Sequence, residues 1–266
     1  MAKRAHIKAR EPLLQKVVFE VRYRHGFAYL DNCGRTINKI MSESPEWLLK
    51  SGAVSPQNAP LASLSNSALF NFSSLKYDLS IERPPDKDPL SSEDVDALAD
   101  QAEFLHAIVS DSLGLEEFTR IGFRAWYVFA CSSREDAEQW LRDLGCYRVE
   151  PKLVSAFGSD IDSSSMSVVI LGHDRKFRIA LNGVEIQAQI DFGQGILSVS
   201  ARSLSEDQKS FLIEQQRVKR RLRQSPEFAA MIDIDAFHED PVTIEPKDFI
   251  TSSFGQFLPS LLKAVS

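Results

Sequence analysis

The sequence predicts an α+β protein in which an antiparallel sheet is covered on one face by helices. Residues 176–202 consist of short runs in which apolar and polar side chains alternate, which is typical of strands. Asn182-Gly183 separates two of these runs, and an Asn-Gly pair in that position indicates a hairpin turn. A helix over residues 205–224 and a strand over residues 231–237 follow, so one helix is available to cover the apolar face of these strands.

The first half of the chain contains strands of the same kind. Alternation predicts strands at residues 17–24, 68–72, 75–83 and 119–130, and another is predicted at residues 166–171. In the run at 119–130 the two faces differ: one carries Ile121, Phe123 and Ala125, and the other carries Arg120, Gly122, Arg124 and Trp126. We therefore expect the first of these faces to lie in the core.

Capping residues define two of the predicted helices. Ser91 and the acidic residues behind it indicate a helix that runs to Leu113, with Gly114 at its C′ position. Ser132 and Glu135 form a capping box that opens another helix, which ends near Gly145. Composition and periodicity predict three further segments: a helix at 35–41 that extends towards 47–50, a loop at 51–67 and a terminal helix at 254–264.

The order of elements leaves two arrangements open. The strands and helices form either two similar α+β halves or a sheet that approaches a barrel-like closure. We divide the chain into a flexible basic arm at residues 1–12, a first α+β half at 13–146 and a second half at 147–266, and expect these to form one compact unit. The arm either contacts phosphate or is a frayed, solvated terminus.

Composition narrows the class of protein. Hydrophobic residues make up 43% of the 266 residues and charged residues 26%, as in ordinary globular proteins. The net charge of −6 does not favour bulk attraction to nucleic acid or to anionic membranes. Cys33, Cys131 and Cys146 are odd in number and lack CxxC spacing, so we expect no disulfide framework and a cytoplasmic location. No apolar run is long enough for a membrane span.

Three short runs resemble a sporadically distributed, uncharacterised family of bacterial proteins of similar length. The runs are VVFEVRYR at residues 17–24, RIGFR at 120–124 and IDID at 232–235. After the second arginine of RIGFR that family more often has a Tyr-Ile-Asn type of run, where this chain has Ala125-Trp126-Tyr127. The resemblance implies an α+β protein found among mobile or defence-related gene sets, and it implies no activity.

Charged residues at alternate strand positions form the first candidate site. Its arginines are candidates for phosphate or ligand binding: Arg22, Arg24, Arg120, Arg124 and Arg178. Asp233 and Asp235 are candidates for holding Mg²⁺ or Mn²⁺. If the strands closed into a barrel, this arrangement would resemble the triphosphate tunnel enzymes in outline, although the first strand has one acid, Glu20, where those enzymes have two. The alternative is the solvated face of an open sheet with cross-strand ion pairs.

A basic stretch of the helix predicted at 205–224 forms the second candidate site. Five of the seven residues at 217–223 are basic: Arg217, Lys219, Arg220, Arg221 and Arg223. They indicate a patch for nucleic acid or an acidic partner. The alternative is that they complement the helix dipole, because they lie in the last turns of that helix.

The histidines and cysteines are scattered without a catalytic or metal-binding spacing, and fingerprints for phosphate loops and dinucleotides are lacking. The sequence therefore predicts a non-catalytic partner or sensor subunit without a cofactor. Such a subunit contacts protein or nucleic acid, and its protein partner is expected to be encoded nearby. The alternative function is a metal-dependent enzyme for nucleotide binding or phosphoryl transfer.

Overall fold

The computed structural model describes residues 10–24, 26–50, 58–83, 88–146, 150–158, 164–186, 227–241 and 243–265. Its strands are β1 (Leu13–Tyr23), β2 (Trp47–Leu49), β3 (Asn58–Ser63), β4 (Leu69–Ser73), β5 (Lys76–Glu82), β6 (Phe118–Cys131), β7 (Ser165–Leu171), β8 (Lys176–Ile186) and β9 (Glu227–Glu239). Its helices are α1 (Gly26–Glu43), α2 (Ser92–Leu113), α3 (Arg134–Asp143), α4 (Pro151–Phe157) and α5 (Pro246–Val265).

All nine strands belong to one antiparallel sheet. Their order across the sheet is β2-β3-β4-β5-β1-β6-β9-β8-β7. The predicted α+β class is confirmed. The barrel-like closure is wrong, because β2 and β7 lie at opposite ends of the sheet and do not pair with each other.

The connectivity of the sheet repeats. Each repeat starts with a long strand and a helix, continues through further strands, and returns its last strand to lie beside its first. In this way β5 pairs with β1, and β9 pairs with β6. The two first strands, β1 and β6, then pair with each other at the junction. The repeat divides the chain between Leu113 and Phe118, whereas the boundary predicted at residue 146 falls between α3 and α4 and stays a prediction.

Apolar side chains on one face of the sheet form the core beneath the helices. Across the junction, Phe19 lies opposite Phe123, and both are fully buried. The ring of Phe123 stacks on Phe257 of α5, with 5.6 Å between centroids. Helix α5 also packs against α2, so the last helices of the two repeats lie side by side on this face.

Local signals fixed α2 as predicted. Ser91 is the N-cap and accepts a hydrogen bond from the Asp94 amide, while the Asp94 carboxylate accepts one from the Ser91 amide. Gly114 adopts the left-handed conformation that ends the helix, with φ of 59°. Helix α3 starts one residue later than predicted, because Ser133 and not Ser132 accepts from the first-turn amide.

Three segments of the first repeat differ from the prediction. Helix α1 begins at Gly26, well before residue 35. Tyr29 and Ile40 lie on its buried side, but Phe27 and Leu30 are exposed, and these two apolar residues hide the helical periodicity in the sequence. The loop predicted at 51–67 contains β3, which pairs with β4 despite its Pro60. Residues 47–49 form the end strand β2 and do not continue a helix.

The hairpin turn predicted at Asn182-Gly183 is wrong. Strand β8 continues straight through both residues and pairs with β9 along its whole length. Gly183 is needed for a close approach: a Cβ atom there would lie 2.5 Å from Oε1 of Glu138. Glu138 is a buried carboxylate of α3 that accepts hydrogen bonds from the amide and hydroxyl of Ser164.

Several predicted elements lie outside the described residues. They are the part of the alternating strand runs at 187–202 and the helix at 205–224. The terminal helix predicted at 254–264 is longer than expected, since it begins at Pro246, a residue suited to the first turn.

Replacing Gly183 by alanine should destabilise the fold by about 1–2 kcal/mol, because the new methyl group would push the Glu138 carboxylate away from Ser164. Chemical denaturation measures the change. The matched control is Gly34→Ala on the exposed side of α1, where a Cβ meets nothing within 4 Å. That variant should gain up to about 1 kcal/mol from helix propensity. Equal stability of the two variants would contradict the close approach.

Candidate functional site

One face of the sheet is charged rather than apolar. We call it the charged face and define it by these residues: Lys16, Glu20, Arg22, Lys76, Asp78, Arg120, Arg124, Trp126, Asp233, Asp235, Lys176 and Arg178. They lie at alternate positions of β1, β5, β6, β8 and β9, on the side of the sheet opposite the core residues. Helices α2, α3 and α5 pack on the opposite side, and on the charged face the described side chains are joined by ion pairs.

Arg120 is at the centre of the charged face. Its Nη1 donates to Oε1 of Glu20 at 2.8 Å, and its Nη2 donates to both carboxylate oxygens of Asp235 at 2.8 and 2.9 Å. The guanidinium lies directly over Gly122, where a Cβ would collide with it, and 4.9 Å from the ring centroid of Phe237. Arg120 thereby ties β1 to β9 across β6.

The spacing of the RIGFR run follows from this geometry. Gly122 sits between the two arginines because the Arg120 side chain needs the space that a Cβ would fill. Arg124, two residues further, turns to the next carboxylate and forms a bidentate pair with Asp233: its Nε donates at 2.6 Å and its Nη2 donates to the second oxygen. The hydrogen bonds that Arg124 donates to the Asp233 carboxylate raise the pKa of Arg124.

Aromatic side chains flank these cations. The guanidinium of Arg124 lies 5.2 Å from the Trp126 ring centroid, and Nζ of Lys16 lies 4.5 Å from the same ring. Lys16 also pairs with Glu82 at 2.7 Å. Trp126 is therefore covered by cations that already have carboxylate partners, and its ring is not an open stacking platform for a base.

The network extends to β5 through Glu20. The Glu20 carboxylate accepts from Nε of Arg22 and from Nζ of Lys76, both at 2.8 Å. Burial alone would raise the pKa of Glu20, but Lys76 and Arg22 outweigh it and hold this pKa below its ordinary value. Lys76 in turn contacts Asp78 at 3.0 Å.

Asp235 behaves in the opposite way. It pairs with Arg120 and, at 3.5 Å, with Nη2 of Arg178. Burial still raises the pKa of Asp235, because desolvation exceeds the attraction of these arginines. Asp233 and Asp235 are both almost completely buried, so the centre of the charged face is screened from solvent.

The structure brings together most of the residues predicted to bind phosphate. Arg22, Arg120, Arg124 and Arg178 share the charged face, whereas Arg24 follows the end of β1 and is exposed. Each of the four arginines contacts a carboxylate of the same sheet. A phosphate would therefore have to displace protein carboxylates to reach these donors.

The predicted metal ligands are engaged in the same way. Asp233 and Asp235 receive hydrogen bonds from Arg124 and Arg120, which occupy the oxygens that a cation would need. In the part of the chain that the structure describes, no group of three or more His, Cys, Asp and Glu side chains could hold a metal ion.

The predicted basic sites are only partly visible. Arg217, Lys219, Arg220, Arg221 and Arg223 lie outside the described residues, as do residues 1–9 of the arm. Arg10, the described cation of the arm, pairs with Asp136 at 2.7 Å and lies 5.9 Å from the Trp140 ring centroid. This contact anchors the chain just before β1 to the start of α3.

His106 is a structural residue. Its Nδ1 shares a hydrogen bond with the Tyr77 hydroxyl, and its ring lies 5.8 Å from that of Phe118. Burial lowers the pKa of His106 from 6.5 to about 4. The imidazole is therefore neutral at physiological pH and belongs to the packing between α2 and β5.

Strand β7 is a further candidate site, although its sequence predicts only a strand. Four consecutive apolar residues of this strand are exposed, Val168 by 38%, Val169 by 60%, Ile170 by 49% and Leu171 by 81%. No described strand pairs with its outer edge. The signal in the sequence was the run VVIL, where continuous apolar residues replace the usual alternation.

The hydrogen-bond pattern shows which backbone groups of β7 point outward. The Gly172 amide donates to the Arg175 carbonyl at 2.9 Å, so these two residues form a hydrogen-bonded pair at the turn. Antiparallel pairs alternate between bonded and non-bonded, and β7 pairs with β8 without a register shift. The residues whose N–H and C=O groups face the outer edge, away from β8, are therefore Ser165, Ser167, Val169 and Leu171.

Comparisons with known proteins leave these sites to be judged on their geometry alone. No protein-family model matches the chain, and no curated protein or solved structure matches it. The resemblance at residues 17–24, 120–124 and 232–235 therefore stays a prediction. None of the helices in the described ranges is both long and apolar enough to span a membrane.

Replacing Arg120 by methionine should destabilise the protein by about 3 kcal/mol, because it leaves Glu20 and buried Asp235 without their shared partner. Arg22→Met is the matched control, since Arg22 also donates to Glu20 but its side chain is 52% exposed. The control should cost no more than about 1 kcal/mol. Urea denaturation at neutral pH compares them, and similar costs would show that Arg120 does not hold the network together.

His106 should make folding stability depend on pH. Its pKa is depressed in the folded state, so its neutral form stabilises the fold above pH 6.5, and this contribution is lost as the pH falls towards 4. Between pH 7.5 and pH 5 the loss should be about 2 kcal/mol. His106→Gln, which keeps a polar partner for Tyr77, should lack this component. Denaturation curves at both pH values test it, and an unchanged pH dependence in the variant would refute it.

Proposed function

We propose that this protein is a non-catalytic binding subunit that captures another polypeptide by strand addition at β7. The bound segment would extend the sheet by one strand beyond its free edge, as in other cases of β-augmentation. The family resemblance suggests a cytoplasmic partner or sensor in a bacterial, defence-related system, with the partner encoded nearby.

The exposed apolar edge carries this proposal. Soluble proteins normally blunt such edges with charges, prolines, bulges or covering segments. Strand β7 has no charged residue and no proline within Ser165–Leu171. It pairs regularly with β8 and presents Val169 and Leu171 to solvent. An exposed apolar edge along a strand of full length favours association, and a partner that covers this edge explains it best.

The alternative, a metal-dependent enzyme of phosphoryl transfer, would use the charged face. The grouping of four arginines and two aspartates favours it, but their mutual pairing does not. Arg124 forms a bidentate pair with Asp233, and Nη2 of Arg120 contacts both carboxylate oxygens of Asp235. These arginines are already paired and do not form a vacant phosphate clamp. We therefore place the enzyme second.

Selection from a library of random, displayed octapeptides tests strand addition without knowledge of the partner. We expect enrichment of peptides with apolar residues at alternate positions, because alternate side chains of an added strand face the same side of the sheet. Val169→Lys should weaken the selected peptides about tenfold or more, since it places a charge on the edge beside the added strand.

The control is Leu75→Lys, which introduces the same side chain at a comparably exposed site, 64% against 60%, between β4 and β5. Peptides should bind this variant as they bind the unchanged protein. Strand addition at β7 fails if no peptides are enriched, or if Val169→Lys binds the enriched peptides as tightly as Leu75→Lys does.

A further inference from the structure

We propose that the strand added to β7 is β7 of a second copy of this chain, paired antiparallel about a twofold axis at Val168. The inference rests on the proposed function and takes a second copy of this chain, in place of a protein encoded nearby, as the partner that adds the strand. In this register each residue pairs with the residue that lies equally far on the other side of Val168 in the second copy. Ser167 therefore faces Val169 of the second copy, and Ser165 faces its Leu171.

The backbone groups match in this register. The outward N–H and C=O groups belong to Ser165, Ser167, Val169 and Leu171, and each of these residues faces another member of the same set. Each such pair exchanges two hydrogen bonds, as bonded pairs of an antiparallel ladder do. Val168 pairs with itself at the axis as a non-bonded pair, where side chains approach most closely.

The side chains match as well. Met166, Val168 and Ile170 lie on the core side of the sheet, because they pair with Leu181, Ile179 and Phe177 of β8. Across the axis Val168 would meet Val168, and Met166 would meet Ile170, so apolar side chains contact apolar side chains along this side. The pairing extends the core face of the sheet into the second copy and covers the exposed part of Val168 and Ile170.

Charge favours a second copy over an arbitrary strand. Ser165–Leu171 contains no charged residue, so self-pairing places no like charges opposite each other. A dedicated foreign partner commonly gains specificity from complementary charge across the interface, and β7 offers no charge for that purpose. The contact involves seven residues from each copy, which is a small interface. We therefore expect reversible, concentration-dependent dimers.

Sedimentation velocity of the full chain tests the dimer, with protein from about 1 µM to about 1 mM. Two variants sharpen the experiment, Val168→Lys and Val168→Asp. Because Val168 faces itself at the axis, either variant alone places two like charges in contact, and its dimer should dissociate at least about tenfold more readily. An equimolar mixture of the two places opposite charges there and should restore the dimer.

The outcomes separate this inference from the proposed function. Rescue in the mixture, with both variants monomeric alone and folded by circular dichroism, supports the twofold pairing at Val168. A protein that stays monomeric at every concentration overturns the second copy, and peptide selection at β7 then shows whether a foreign strand binds instead. Dimers that persist in both variants, or a mixture that stays monomeric, also overturn the pairing.

Discussion

The antiparallel pair of β1 and β6 joins the two repeats, and the rest of the sheet is built outward from it. On one side the pair places Phe19 against Phe123, which seats α5. On the other side it places Glu20 within reach of Arg120. A shift of one residue in this register would move the arginine into the core and the phenylalanine into solvent. The hydrophobic core and the ion-pair network therefore enforce the same alignment.

The network also explains two sequence patterns as parts of one arrangement. The arginines of RIGFR and the aspartates of IDID are complementary, since Arg120 binds Asp235 and Arg124 binds Asp233. Each aspartate is buried, and an unpaired carboxylate there would be costly. The charges are matched only when β6 and β9 are neighbours in the sheet, as they are here. Such a role differs from that of a ligand site, although the same residue types serve both.

Much of the fold could be predicted because its elements carry local signals. The alternation in β1, β5 and β6 and the capping box of α2 depend on neighbours in sequence, and each was found in place. The turn predicted at Asn182-Gly183 was wrong because Gly183 is there to make room for Glu138, a residue of α3 that is distant in sequence. Helix α1 was recognised only in part, since exposed Phe27 breaks its pattern.

The candidate site was predictable as a set of residues but not as a set of contacts. Alternation places Arg22, Arg120, Arg124 and Arg178 on one side of their strands. It does not reveal strand order, and strand order decides which carboxylate meets which arginine. The exposure of β7 was hidden for a similar reason. An apolar run looks the same in a buried strand as at an edge, so only the position of β7 at the end of the sheet distinguishes them.

The two ends of the sheet are unequal, and this sets how far any assembly grows. At one end β2 has only three residues, and its Trp47 is buried. At the other end β7 offers seven residues. Within the described ranges the protein is thus monovalent for strand addition: once β7 is occupied, no comparable edge remains for a next unit. An apolar edge of this kind would seed fibres in a sheet with two long free ends, whereas here growth stops after one addition.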